Sequence, residues 1–237
     1  MPDGSDRQNP KPPKPIDHMA GHRERLRKRF IASPAAVPDY ELLELILFRT
    51  IPRKDVKPLA KDLIAAFGSF GATIHADETR LREVKGISDA TIADFAILRE
   101  TTARLTQAKV MKRDIISSWG ALLDYCFATM AHNTIEQFRI LFLDRQNVLI
   151  ADEVQQTGTI DHTPVYPREV VKRALALNAS SIILVHNHPS GDPTPSRDDI
   201  VMTQLIIDTA RPLGITVHDH LVIGKGKHAS FKSLGLI

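Results

Sequence analysis

A single cysteine in 237 residues, Cys126, excludes an internal disulfide framework and fits a chain kept in a reducing cytosol. It lies in the apolar stretch ALLDYCFATM, where a buried, unreactive thiol is expected rather than a nucleophile. Long apolar runs are missing as well. None approaches the roughly 18 residues that a bilayer-spanning helix requires, so no membrane contact is expected. The opening MPDGSDRQNPKPPKP has neither the apolar centre nor the small-residue cleavage site of a secretory signal, which points to a cytoplasmic protein. There is little excess of either charge, the formal net being +3. From residue 116 onward there are 10 Lys and Arg against 12 Asp and Glu, which leaves 21 against 16 for residues 1–115. The first half is therefore mildly basic. Such an excess suits an acidic partner, nucleic acid included, and equally an ordinary solvated helix face.

The 43% hydrophobic content, with 25% charged residues, is enough for a real core in one sizeable domain or two small ones. Residues 1–20 hold five of the 15 prolines and are expected to form a disordered tail. From 21 to 110 the periodicity is helical throughout. HRERLRKRFIA reads as a basic helix, and PDYELLELILFRT follows with Pro38 near its first turn. Lys57 to Phe67 stops at Gly68, a short helix covers about 78–84, and a long one runs from about Ser88 to Ala108. No strand pattern interrupts them, so this part is expected to be a small all-α module. Beyond residue 111 the period changes. A helix over SSWGALLDYCFATMA precedes two strand-like runs, EQFRILFLD and NVLIADEVQQTGTI, joined tightly at Arg145-Gln146. Pro167 opens a helix to about Leu177, SSIILVHNH reads as a buried strand, Ser196 starts a helix to about Thr209, and ITVHDHLVIG is a last strand. The order α-β-β-α-β-α-β predicts an α/β domain over residues 115–237 with one mixed sheet.

Three residues stand out chemically. Side chains i and i+2 leave a strand on the same face, so His186 and His188 at the end of SIILV aim two imidazoles at one place. Pro189 ends the strand, a Ser-Gly-Asp-Pro-Thr-Pro loop turns the chain, and Asp199 falls in the first turn of the helix opened by Ser196. Two nitrogens, one carboxylate and a fourth position open to water make a catalytic zinc shell. Ser196 and Asp199 also have a reading without metal, as the N-cap and N3 residues of a capping box; a capped turn would also fix where the carboxylate points. A second pair, His218 and His220, shares the i, i+2 spacing but has no carboxylate on a following helix. A structural role, or orientation of a ligand imidazole, is expected for it.

The run HNHPSGDPTPSRDD resembles the metal motif of the JAMM (MPN-type) metalloproteases, His-x-His-Pro, a loop, then Ser-x-x-Asp. The longer stretch from PREVVKRALALNASSIILVHNHPSGDPTPS through VHDHLVIG resembles the bacterial RadC family, with similarity over roughly 20–237. The resemblance implies a JAMM/MPN-like domain, a mixed β-sheet flanked by helices, behind the helical module. It implies that His186, His188 and Asp199 bind zinc, that Ser196 donates a hydrogen bond to the oxyanion, and that a glutamate near the start of the first strand is the general base. Glu136 matches that position, with Glu153 and Glu169 as alternatives. The implied activity is hydrolysis of a peptide or isopeptide bond in a protein substrate.

In the helical half, Lys85-Gly86-Ile87-Ser88 looks like a helix-hairpin-helix turn, in which backbone N–H groups can meet a phosphate. Ser88 stands where glycine is usual and serves equally as an N-cap. Arg23, Arg25, Arg27, Lys28 and Arg29 form the densest basic cluster. Members of the family are often called DNA-repair proteins, so the alternative is a DNA-associated binding or scaffold protein with a structural or vestigial metal site.

Overall fold

A computed structural model of the chain describes residues 18–111, 113–157 and 165–237. Most of the proline-rich tail lies outside those residues, although its end already belongs to the first helix, α1 (His18–Ala32). The chain forms two compact units, dividing between Phe70 and Gly71.

The first unit holds α1, α2 (Asp39–Thr50) and α3 (Lys57–Phe67). Acidic Asp39 and Glu41 in the first turn of α2 complement the helix dipole, and Leu43, Leu47 and Phe48 are buried from its apolar stripe. Helix α3 stops at Gly68, whose φ of 92° suits a residue without a side chain. Much of the basic cluster on α1 is engaged within this unit. Arg23 donates to the carbonyls of Ile51 and Lys54 at 2.7 Å each, and its guanidinium sits over the Phe48 ring. Arg29 pairs with Glu41 and Lys28 with Glu24.

The division falls just inside the start of α4 (Phe70–Ile74), and the second unit continues with α5 (Glu78–Glu83) and α6 (Asp89–Val110). Helix α6 packs along α7 (Trp119–Met130), and Val110 and Ile115 are fully buried in the same core as the strands. The sheet comprises β1 (Gln137–Leu143), β2 (Leu149–Thr157), β3 (Ser181–Asn187), β4 (Thr216–Ile223) and β5 (His228–Ser230), in the order β2-β1-β3-β4-β5. Only β3 and β4 pair in parallel, so the sheet is mixed as expected. Two short elements, α4 and β5, carry no clear signal in the sequence.

Helices α8 (Pro167–Ala176) and α9 (Arg197–Ala210) follow β2 and β3 in the chain. Side-chain alternation divides the core into two layers. Ile183 and Val185 of β3 join Leu122, Cys126 and Met130 of α7, while Ile182 and Leu184 join Val170, Val171 and Ala174 of α8 and Ile206 of α9. All seven residues of β3 are buried, which is why it reads as an unbroken aliphatic run.

Candidate metal centre

His186 continues the series of Ile182 and Leu184 and therefore faces α9, with His188 beyond it. Between them, Asn187 faces the other way. Its Oδ1 accepts from Gln137 N at 2.9 Å and its Nδ2 donates to Ile135 O at 3.1 Å, so one buried amide braces the chain on both sides of Glu136. Phe138 pairs with His186 across the β1–β3 ladder. Continuing that register by two residues sets Glu136 alongside His188.

Asp199 is placed by its helix start. Ser196 and Asp199 form a reciprocal capping box: Asp199 N donates to Ser196 Oγ at 3.1 Å, while Ser196 N and Ser196 Oγ both donate to Asp199 Oδ2 at 2.7 Å. The capping reading of the pair is thus fulfilled, and it fixes the carboxylate. Asp199 Oδ1 lies 3.3 Å from His186 Nε2, and Oδ2 lies 3.5 Å from His188 Nε2. The two Nε2 atoms are 3.0 Å apart, and ligand atoms of all three residues fall within 4.8 Å of one another.

The proton accounting at His188 explains what such a cluster can hold. His188 Nδ1 is 2.8 Å from the carbonyl of Asp192. A carbonyl cannot donate, so Nδ1 carries the proton and Nε2 presents its lone pair to the cluster. Without metal, electron pairs from imidazole and carboxylate converge there and must share a proton. The pKa of His188 is accordingly raised, first by its hydrogen bond to Asp199, against the opposing effect of burial, with a smaller contribution from Glu136. Burial alone would raise the Asp199 carboxyl, but the adjoining His186 and His188 imidazoles and the Ser196 hydroxyl hold it well below the usual carboxylate range. A divalent cation suits this set better than a proton, because it takes several lone pairs at once and displaces the proton. Two imidazole nitrogens and a carboxylate oxygen fit zinc with one coordination position left over.

The remaining sequence candidates lie elsewhere or play supporting parts. Glu153, on β2, is engaged by Arg173 of α8, and Glu169 is beside Lys172 on α8. The i, i+2 spacing of His218 and His220 does not give them common surroundings, because a bulge in the β3–β4 pairing passes over His218. His218 Nε2 meets Asn147 Oδ1 at 2.6 Å. His220 is fully buried, 2.7 Å from His186 Nδ1, and its ring packs against Phe138 and Phe231. Burial, and then the neighbouring His186, push its pKa well below the usual histidine value. Ser88 caps α6 through Thr91 N, and Asp89 at the start of that helix pairs with Arg82. Cys126 is fully buried.

Sequence reasoning missed Asn187 and Thr203, whose Oγ1 lies 2.6 Å from His220 Nδ1. Thr203 follows Asp199 by four residues on α9, a spacing that puts both on one helix face, but such polar i, i+4 pairs are too common to signal a site unaided. Asn187 has no pattern of its own; only the antiparallel neighbour 50 residues earlier reveals its task.

A family profile described as RadC-like JAB domain matches residues 116–236. A UPF0758 protein of Ruegeria pomeroyi is 59% identical over 221 residues, covering 93% of this chain and 99% of that protein. A UPF0758 protein of Rhodobacter capsulatus is 59% identical over 213 residues, covering 90% of this chain and all of that protein.

Proposed function

The chain belongs to the RadC family, whose domain is of the JAB type, and on that premise we propose that it is a zinc-dependent metallopeptidase cleaving a peptide or isopeptide bond. The observation that carries this reading is the convergence of His186 Nε2, His188 Nε2 and Asp199 within 4.8 Å, with the His188 lone pair directed into the cluster by Asp192.

In this reading His186, His188 and Asp199 hold the ion, which when bound acidifies water and polarises the scissile carbonyl. Glu136 takes the proton of the attacking water and hands it to the departing amine nitrogen. Its support is the register that sets it beside His188 and the brace that Asn187 puts on its backbone. The Ser196 hydroxyl donates to Asp199 Oδ2 in the present arrangement, and so does Ser196 N. The cap needs only Ser196 N donating to Asp199 Oδ2 and Ser196 Oγ accepting from Asp199 N, which frees the hydroxyl proton to turn toward the oxygen that gains charge.

The test is metal analysis of purified protein combined with hydrolysis of peptide and isopeptide substrates, with and without chelator. Zinc at one equivalent per chain, with activity lost in chelator and in His188→Ala, is expected. Hydrolysis that persists in chelator would sink the proposal. DNA contact through the α5–α6 hairpin is the alternative reading. It predicts salt-dependent DNA binding by the intact chain that His188→Ala leaves unchanged.

A further inference from the structure

A free neutral imidazole can carry its proton on either ring nitrogen, and only the tautomer with a bare Nε2 lets His186 ligate through the atom that faces Asp199 and His188. For His188 the carbonyl of Asp192 settles the matter. For His186 the neighbour is another histidine, which can donate or accept, so the answer must come from farther back.

The chain of contacts ends at Thr203, which is 1% exposed. Its Oγ1 lies 2.6 Å from the carbonyl oxygen of Asp199 and 2.6 Å from His220 Nδ1. Two oxygens at 2.6 Å need a proton between them, and a carbonyl has none to give. The hydroxyl proton therefore points to Asp199 O, and Thr203 Oγ1 can only accept from His220. His220 Nδ1 then carries the proton of that ring, and its Nε2 is bare. His186 Nδ1, 2.7 Å from that bare Nε2, must donate, which leaves His186 Nε2 without a proton on the side of the cluster. Each hydrogen bond has one possible direction once the first is set. Phe138 and Phe231, packed against the His220 ring, keep it from rotating out of line.

We infer that Thr203 and His220 are positioning residues that lock His186 in its metal-ligating tautomer, with the reference point supplied by the backbone of the ligand Asp199 itself. The relay closes a loop: Asp199 carbonyl, Thr203, His220, His186, and back to the Asp199 carboxylate. One helical turn of α9 thus sets both the carboxylate ligand and the proton position of the first imidazole ligand. The inference deepens the zinc reading above and rests on it for its purpose, though not for its proton directions.

The experiment uses the intact chain, stripped of metal and labelled with 15N at histidine. Long-range 1H–15N spectra report which ring nitrogen of His186 and His220 is protonated. Nδ1–H at both residues is expected, and an Nε2–H tautomer at His186 would overturn the lock. Zinc affinity is then measured by competition with a chromophoric chelator. Thr203→Val keeps the shape but deprives His220 Nδ1 of its acceptor. It is expected to weaken zinc binding about 10- to 100-fold and to bring an Nε2–H signal to His186, while Thr203→Ser restores both. Unchanged affinity and an unchanged His186 spectrum in Thr203→Val would refute the inference. If the wild-type chain bound no zinc, the metal reading would fail on that result, and the spectra would still decide the proton directions.

Discussion

Gly224 follows β4, far in sequence from the histidines, yet its replacement by alanine is expected to damage the metal centre. A Cβ at Gly224 would stand 2.3 Å from the carbonyl oxygen of Gly191 and 3.0 Å from Pro193 Cδ. Restoring an ordinary contact of 3.4 Å to that oxygen requires a shift of about 1.1 Å. The neighbour is backbone, so no side chain can swing aside. The strained segment is the loop between His188 and Ser196. It is tied to the turn after β4 by Lys225 N donating to Gly191 O at 3.1 Å, and it orients His188 through the 2.8 Å bond to Asp192 O. Moving Gly191 by about an ångström carries Asp192 with it and stretches that bond to near 4 Å, where a hydrogen bond no longer exists. The expected loss is about 1–3 kcal/mol of stability and roughly 10- to 100-fold in zinc affinity. Thermal unfolding and chelator competition on Gly224→Ala measure the two directly. Wild-type zinc affinity in this variant would refute the claim that the loop backbone orients His188.

Asn187→Ala removes the amide on either side of Glu136 while leaving all three ligands. On the proposed metallopeptidase reading, peptide hydrolysis should fall by at least about tenfold because Glu136 loses its brace, with zinc affinity held within a few-fold; equal losses in both would argue against a bracing role. Glu153→Gln should leave hydrolysis unchanged and cost at most about 1 kcal/mol, because it breaks only the ion pair with Arg173 at the edge of the sheet. Burial pushes the Cys126 thiol up to about 12, so a maleimide or iodoacetamide should fail to label the native chain near pH 8 and should label it on denaturation. Since the folded thiol keeps a proton that the unfolded one loses near 8.5, this residue's contribution to stability should decline as pH rises above that value. Ile183→Ala, at a position 1% exposed between β1 and β4, should cost about 2–5 kcal/mol in chemical denaturation.

Much of the architecture is legible in the sequence because it depends on local periodicity. The aliphatic run of β3, Pro167 at the start of α8, Gly68 at the end of α3 and Ser196 capping α9 each act within a few residues of themselves. The fold family is legible for the same reason, since the His-x-His, loop and Ser-x-x-Asp spacing is a local motif. Packing between helices is not. Nothing within residues 71–110 announces that α6 packs on α7, because that contact depends on a helix face rather than on a breaker residue. His218 and His220 show the same limit, since their shared spacing predicts a shared face until a bulge opposite β3 separates them.

At the candidate metal centre, the sequence by itself determined which three side chains come together. His186 and His188 are bound to one face by strand alternation, and Asp199 is bound to its turn by the capping box. The tertiary structure decided what surrounds them. It set Glu136 beside His188 through the antiparallel register, gave Asn187 its brace, closed the Gly191 carbonyl over Gly224, and placed Thr203 and His220 behind His186. Local spacing can direct a side chain to a face, because that depends only on the backbone repeat. Proton direction and backbone placement depend on partners brought together from distant parts of the chain, and those exist only once the sheet has formed.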